Sequence, residues 1–155
     1  MNSLIFLAEE RDGTIKARAC ANRSTQRSYI DKHDATSPTV TTEALMTTAI
    51  IDAKQNRGVI TLDKPNAFVQ TPVPKSEEKV IMRITGLLVD YLVNLFPTKY
   101  EDYVTIQNQT NLLYVEMKKA LYGMMLSSLL FYKHFRQNLE SIGFKVNAYD
   151  ICVAD

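Results

Sequence analysis

Short β-prone runs alternate along the chain with segments whose apolar residues recur at helical spacing. The β-prone runs are "GVITLD" (58–63), "EKVIMRIT" (78–85) and "NLLYVEM" (111–117). Residues 43–54, before the first run, and residues 87–96, between the second and third, have the apolar spacing of helices. This alternation constrains the fold more than any other feature, because it predicts a mixed architecture, α/β or α+β.

The two ends of the chain carry clearer local signals. Asp12-Gly13 interrupts a β-prone stretch, and Asp-Gly supplies the positive φ of a tight turn, so residues 3–21 predict a β-hairpin. The polar loop 22–41 ends at Thr41 and Thr42, either of which can cap a helix that we expect to pack on a sheet and to stop near Gly58.

A third helix is predicted over residues 126–142. Its apolar stripe consists of Phe131, Phe135, Leu139 and Ile142, and Gly143 follows as the stop signal. The closing residues, 144–155, begin another β-prone segment.

"GVITLD" is typical of a buried central strand, since it is rich in β-branched residues and lies between Gly58 and Pro65. Asp63 would then lie at the C-terminal end of that strand, five residues before Phe68. On these residues alone, Asp63 also fits a cap of the turn at Pro65, and Phe68 fits a core aromatic.

The composition argues for one ordinary folded domain without a strong overall field. The 155 residues include 18 basic and 17 acidic side chains, so the net charge of +1 indicates no nucleic-acid partner by itself. The basic residues near the start are a solvated face or a local contact. They are Arg11, Lys16, Arg18, Arg23, Arg27 and Lys32.

Neither a disulfide framework, a zinc site nor a membrane segment is indicated. Cys20 and Cys152 lie far apart, and only His33 and His134 could join them as ligands. The opening ten residues lack a basic region, and the run "ALYGMMLSSLLFY" (120–132) is too short to span a bilayer. We therefore expect an intracellular protein, cytoplasmic or nuclear, with no membrane partner.

Three motifs follow one another in an informative order: "LDKPNAF" (62–68), "KKALYG" (118–123), and "ESIGF" (140–144) with "DICV" (150–153). In this order the chain resembles the reverse transcriptase domain of Ty1/copia-type LTR retrotransposons, over about residues 3–153. The resemblance implies an α+β right-hand polymerase, with residues 1–155 forming one fragment of fingers and N-terminal palm. It also implies RNA-directed DNA synthesis with two Mg²⁺ ions, an RNA template, a DNA primer and dNTPs, and the rest of a polyprotein as partner.

The resemblance assigns roles to two residues of the first motif. Asp63 corresponds to the first catalytic, metal-binding carboxylate of a site that holds two cations about 3.5 to 4 Å apart. Phe68 corresponds to the aromatic gate whose ring excludes a ribose 2′-hydroxyl.

Nucleotide-binding roles fall on four further residues. Arg18 corresponds to the arginine that grips the triphosphate, with Lys16 as a second cation or an ordinary exposed lysine. Tyr122 and Gly123 correspond to a loop where the glycine lets backbone approach nucleotide or template. The alternative is a helix-breaking Gly123 with Tyr122 in the core.

The sequence departs from the family in ways that predict loss of activity. The family supplies its further carboxylates in a Tyr-x-Asp-Asp motif, and this sequence contains no Asp-Asp pair, which indicates truncation before the motif. Lys64 replaces an apolar residue and would point into the core, and Met125 and Leu126 replace polar residues. The chain alone is therefore expected to be inactive, and a non-catalytic nucleic-acid-binding module or a remnant without function are alternatives.

Overall fold

An antiparallel hairpin opens the chain in the structure, a computed structural model that describes residues 1–75 and 79–155. Strand β1 (Asn2–Glu9) pairs with β2 (Ile15–Asn22), in register from Asn2 opposite Asn22 to Glu9 opposite Ile15. Gly13 has a φ of 82°, and the Thr14 amide donates to Asp12 Oδ1 over 2.9 Å. The predicted hairpin and its Asp-Gly turn are confirmed.

Three further strands complete a five-stranded mixed sheet, which confirms the α+β class. They are β3 (Ile81–Thr85), β4 (Thr105–Gln107) and β5 (Thr110–Glu116), and the strand order is β2-β1-β3-β5-β4. The hairpin joins the other three strands of the sheet through a short parallel pairing of β1 with β3, at Asn2 and Arg83. Of the "EKVIMRIT" run, Glu78 lies outside the described residues, and the strand itself begins at Ile81.

Among the described residues, five α-helices accompany the sheet: α1 (Thr42–Lys54), α2 (Ala67–Gln70), α3 (Leu87–Leu95), α4 (Pro97–Tyr100) and α5 (Ser127–Ser141). The core lies where α3 covers β3 and β5, and it centres on Ile84, Val89 and Leu113. All three side chains are at most 4% exposed. In the described ranges, no helix combines the length and apolar composition required to cross a bilayer.

The β4 strand was not expected from the sequence. Asn108 and Gln109, which connect β4 to β5, both adopt a left-handed backbone, with φ of 49° and 61°. Two successive left-handed residues make the turn that suits a tight hairpin, but the usual signal for it is Asn-Gly. Because Gln109 occupies the position where glycine is usual, the turn could not be recognised from the sequence.

Helix α1 begins and ends close to the predicted positions but packs differently. Thr41 caps it, with its hydroxyl accepting from the Ala44 amide over 3.1 Å. Asn56, with a φ of 53°, follows the last turn, so Gly58 is not the stop. The expected packing on a sheet is wrong: no α1 residue is buried, and Met46 and Ile50 are 57% and 67% exposed.

The prediction of a buried central strand over residues 58–63 is also wrong. These residues form no strand, and Val59, Ile60 and Leu62 are 70%, 82% and 92% exposed. A β-prone run becomes a strand only where a neighbouring strand accepts and donates its backbone hydrogen bonds. Here β3 already pairs with β1 and β5, so no central position is left for the run.

Helix α5 confirms the predicted long helix and its stop. Gly143 has a φ of 102°, and the Phe144 amide donates to the Leu139 carbonyl over 3.1 Å. The predicted closing β segment is reduced to a bridge between Val146 and Ala154, flanked by two backbone hydrogen bonds between Lys145 and Asp155. The end of the chain therefore folds back on itself beside α5.

Candidate functional site

A cavity of about 490 Å³ lies between β2 and the loop that precedes α5. The side chains on its wall come from the hairpin, from the turn before α2 and from that loop. They are Lys16, Ala17, Arg18, Ala19, Cys20, Asn66, Val69, Leu121 and Tyr122. The fold thus brings together three of the six predicted site residues, Lys16, Arg18 and Tyr122.

The loop is held against β2 by a close backbone contact. The Ala21 amide donates to the Tyr122 carbonyl over 2.7 Å. Gly123 has a φ of 89°, and a Cβ placed there would overlap the Ala21 carbonyl oxygen. Only glycine fits this contact, because it is both left-handed and without a side chain. The close approach that the sequence suggested at Gly123 is therefore made to the chain's own β2.

Two buried polar side chains fix the rest of the loop. Gln26 is 2% exposed, and its Oε1 accepts from the Met125 amide over 3.0 Å. Ser127, also 2% exposed, donates its hydroxyl to the Leu121 carbonyl over 2.6 Å. Since buried backbone groups are costly to leave unpaired, these bonds specify one loop conformation.

The two cations of the cavity differ in availability. Lys16 lies 2.8 Å from the Glu10 carboxylate, and its hydrogen bond lowers the pKa of Glu10 below the usual value. Arg18 makes no ion pair with another residue in the described part of the chain. Among the described residues, the guanidinium of Arg18 is therefore the cavity cation without an ion-pair partner.

Aromatic rings support the wall on the side of the loop. Phe68 packs on Tyr122 with the ring centroids 4.8 Å apart, and on Phe131 with the centroids 6.2 Å apart. Tyr122 is 42% exposed and lines the cavity, whereas Phe68 is half-buried and does not. The ring that faces the cavity is that of Tyr122, which is not a core residue, and Phe68 supports it.

Asp63 lies outside this cavity, on the exposed segment that follows α1. The expectation that Lys64 points into the core is wrong, because Lys64 is exposed and its ammonium lies 6.0 Å from the centre of the Phe131 ring. No cluster of three or more acidic, histidine or cysteine side chains suited to a metal occurs among residues 1–75 and 79–155. Asp63 alone does not fit a two-ion site.

Asn66 is a cavity residue that the sequence did not single out. Its φ of 54° is left-handed, and it directly precedes α2. The Gln70 side chain steadies this turn by donating to the Pro65 carbonyl over 2.9 Å. The pair Pro65-Asn66 is a turn signal, since asparagine tolerates the left-handed region, and it could have identified the residue.

A second, shallower concavity of about 510 Å³ adjoins the first across the contact between Ala21 and Gly123. Arg23 and Arg27 are the charged residues on its wall, beside Asn22 and Ser24. A third cavity, of about 290 Å³ and mostly apolar, lies between α5 and the closing segment and contains none of the predicted site residues.

The chain matches no protein-family model, no curated protein and no solved structure.

Proposed function

We propose that this chain is the nucleotide-binding part of a reverse transcriptase of the Ty1/copia type, comprising fingers and the start of the palm. The observation that carries the proposal is the cavity that joins Lys16, Arg18 and Tyr122. Tyr122 lies far from Lys16 and Arg18 in sequence, and the resemblance implies a nucleotide-binding role for each of the three residues.

The chemistry of the cavity suits a deoxynucleoside triphosphate. A guanidinium binds phosphate oxygens bidentately, and Arg18 has no competing ion pair among the described residues. The exposed ring of Tyr122 offers an apolar face to a sugar or a base. Lys16 contributes a weaker attraction, because Glu10 offsets its charge.

Polymerisation itself requires more than these residues provide. Asp63 is the candidate first carboxylate for two Mg²⁺ ions, and the remaining carboxylates must come from outside the described residues. In the intact protein the cavity would receive the dNTP for an RNA template and a DNA primer. The chain alone binds the nucleotide without incorporating it.

A calorimetric titration with a dNTP tests the binding step. Losing a hydrogen bond to a charged group costs roughly 1.5–3 kcal/mol, so Arg18→Ala should weaken binding about 10- to 100-fold. Arg11→Ala is the matched control, since Arg11 is exposed at the tip of the same hairpin and does not line the cavity. Equal effects of the two substitutions, or no binding by the unaltered chain, would overturn the proposal.

Primer extension on an RNA template tests the proposed inactivity. With Mg²⁺ or Mn²⁺, the chain alone should add no nucleotide. Incorporation that disappears in Asp63→Asn would show that the chain is itself a polymerase.

A second candidate function, a non-catalytic nucleic-acid-binding module, is favoured by one observation. Arg23 and Arg27 extend the basic surface beyond the cavity that contains Arg18. Two results would favour this function: affinity for an RNA–DNA hybrid that falls steeply as salt rises, and a larger loss of that affinity in Arg23→Ala/Arg27→Ala than in Arg18→Ala. Binding of a free dNTP that depends on Arg18 would favour the first.

A further inference from the structure

The segment between α1 and α2 exposes both its backbone and its apolar side chains. From Arg57 to Lys64 it runs without a turn or bend. No backbone amide from Gly58 to Lys64 donates a hydrogen bond to another residue in the described ranges. Val59, Ile60 and Leu62 are 70%, 82% and 92% exposed.

Such a segment has the properties of an unpaired strand. Its unused donors and acceptors can pair with another extended chain, and its β-branched residues favour that pairing. Apolar surface of this kind is normally covered in a soluble protein. Addition of a strand from another molecule is a common way to cover it.

We propose that two copies of this chain associate through residues 57–63, which form an antiparallel strand pair about a two-fold axis at Ile60. In this register Ile60 lies opposite the partner's Ile60, and Val59 lies opposite the partner's Thr61. Arg57 lies opposite the partner's Asp63. Since the axis repeats each contact, the pair contains two such ion pairs.

Charge complementarity selects this register over its neighbours. A shift by one residue in one direction places Arg57 opposite the partner's Lys64, where like charges repel. A shift in the other direction places Arg57 opposite the partner's Leu62. Opposite charges on facing strands stabilise a pair, so of these three registers only the one centred on Ile60 gains from charge.

The two outer strands of the five-stranded sheet, β2 and β4, are poorer sites for the same kind of pairing. The β2 edge carries Lys16 and Arg18, and charged side chains protect an edge. The other edge, β4, has only three residues. The segment 57–63 is longer than β4 and has no charge between its two ends. This inference does not depend on the proposed nucleotide binding.

Sedimentation of the full chain over a range of concentrations tests the proposal. The chain should dimerise, and Asp63→Arg should raise the dimer dissociation constant about tenfold or more, since two attractions become repulsions. Asp63→Arg leaves the internal pair of Arg57 with Asp52, at 3.6 Å, in place. The double exchange Arg57→Asp/Asp63→Arg should lower the constant again, well below that of Asp63→Arg alone, because the facing charges are opposite once more.

Oxidative cross-linking tests the position of the axis. In a Cys20→Ser/Cys152→Ser background, Ile60→Cys should give disulfide-linked dimers, because a residue on the axis lies within disulfide reach of its copy. The matched control is Ile106→Cys, 75% exposed on the β4 edge, which should give none. A monomer at every concentration, cross-linking at Ile106 equal to that at Ile60, or indifference to the charge reversals would overturn the proposal.

Discussion

Two regions of this molecule contain the same kinds of aliphatic residue in opposite environments. In the core beside α3, Val89 and Leu113 are 0% and 1% exposed. In the segment after α1, Ile60 and Leu62 are 82% and 92% exposed. The difference goes with pairing and cover together, because β5 has strands on both sides and α3 packs on it, whereas residues 58–63 form no strand. A β-prone sequence becomes core where strands pair with it and a helix covers it.

The largest effect is expected when a leucine is replaced by alanine in each of the two regions. Leu113→Ala should lower the free energy of unfolding by about 2–5 kcal/mol, since it leaves a cavity between β5 and α3. Leu62→Ala should change it by less than about 0.5 kcal/mol, because its side chain is already in water. Denaturant unfolding of dilute protein measures both. Equal losses would contradict the comparison.

A second test concerns the glycine that locks the loop to β2. Gly123→Ala should cost roughly 2–4 kcal/mol, because it combines a left-handed backbone with an overlap on the Ala21 carbonyl. Gly143→Ala is the control, since Gly143 is also left-handed but has open space around its Cβ position. It should cost only about 1–2 kcal/mol. Thermal unfolding compares them, and a larger loss at Gly143 would refute the close contact.

A third test removes one buried polar bond from the same loop. Gln26→Leu leaves the Met125 amide without its acceptor, which should cost roughly 1–3 kcal/mol. Gln137→Leu, on the exposed part of α5, should be nearly neutral. Hydrogen exchange at the Met125 amide should accelerate only in Gln26→Leu, and unchanged protection there would show that the bond is unimportant.

The smallest effect concerns a hydrogen bond that ties the start of α1 to the closing segment. Asp150 Oδ2 accepts from the Thr41 amide over 2.8 Å. This hydrogen bond and, to a smaller extent, the one from the Cys152 amide hold the pKa of Asp150 below its ordinary 3.8. A lowered folded pKa means that the stabilisation is present above 3.8 and is lost as pH falls through the folded value. The protection of the Thr41 amide relative to its intrinsic exchange rate should therefore fall in strong acid.

Asp150→Asn provides the control for this pH dependence. It removes the titrating carboxyl, so the acid-dependent loss of protection at Thr41 should disappear in this variant. Retention of the same pH profile would assign the effect to another group.

The sequence predicted elements that carry their own local signals. The Asp12-Gly13 turn, the Thr41 cap and the Gly143 stop depend on neighbours in sequence, and the structure has all three. Burial depends on distant partners instead. For that reason α1 was wrongly expected to pack on a sheet, and residues 58–63 were wrongly expected to form a buried central strand.

In the candidate site too, some features could be predicted from the sequence and others depend on contacts between distant residues. The resemblance selected Arg18 and Tyr122, and the fold brings them to one cavity. It could not indicate that Gly123 serves a contact with Ala21, or that Phe68 lies behind Tyr122, because both depend on how the hairpin meets the loop. Asn66 carried only a weak turn signal.

The proposed function depends most on whether the cavity beside β2 binds a deoxynucleoside triphosphate. Amide chemical-shift mapping by NMR during a dNTP titration tests it residue by residue. The largest changes should fall on Arg18, Asn66 and Tyr122, with little change at Ile151 and Val153 in the apolar cavity beside α5. Changes centred on that apolar cavity, or no saturable changes at all, would contradict the claim.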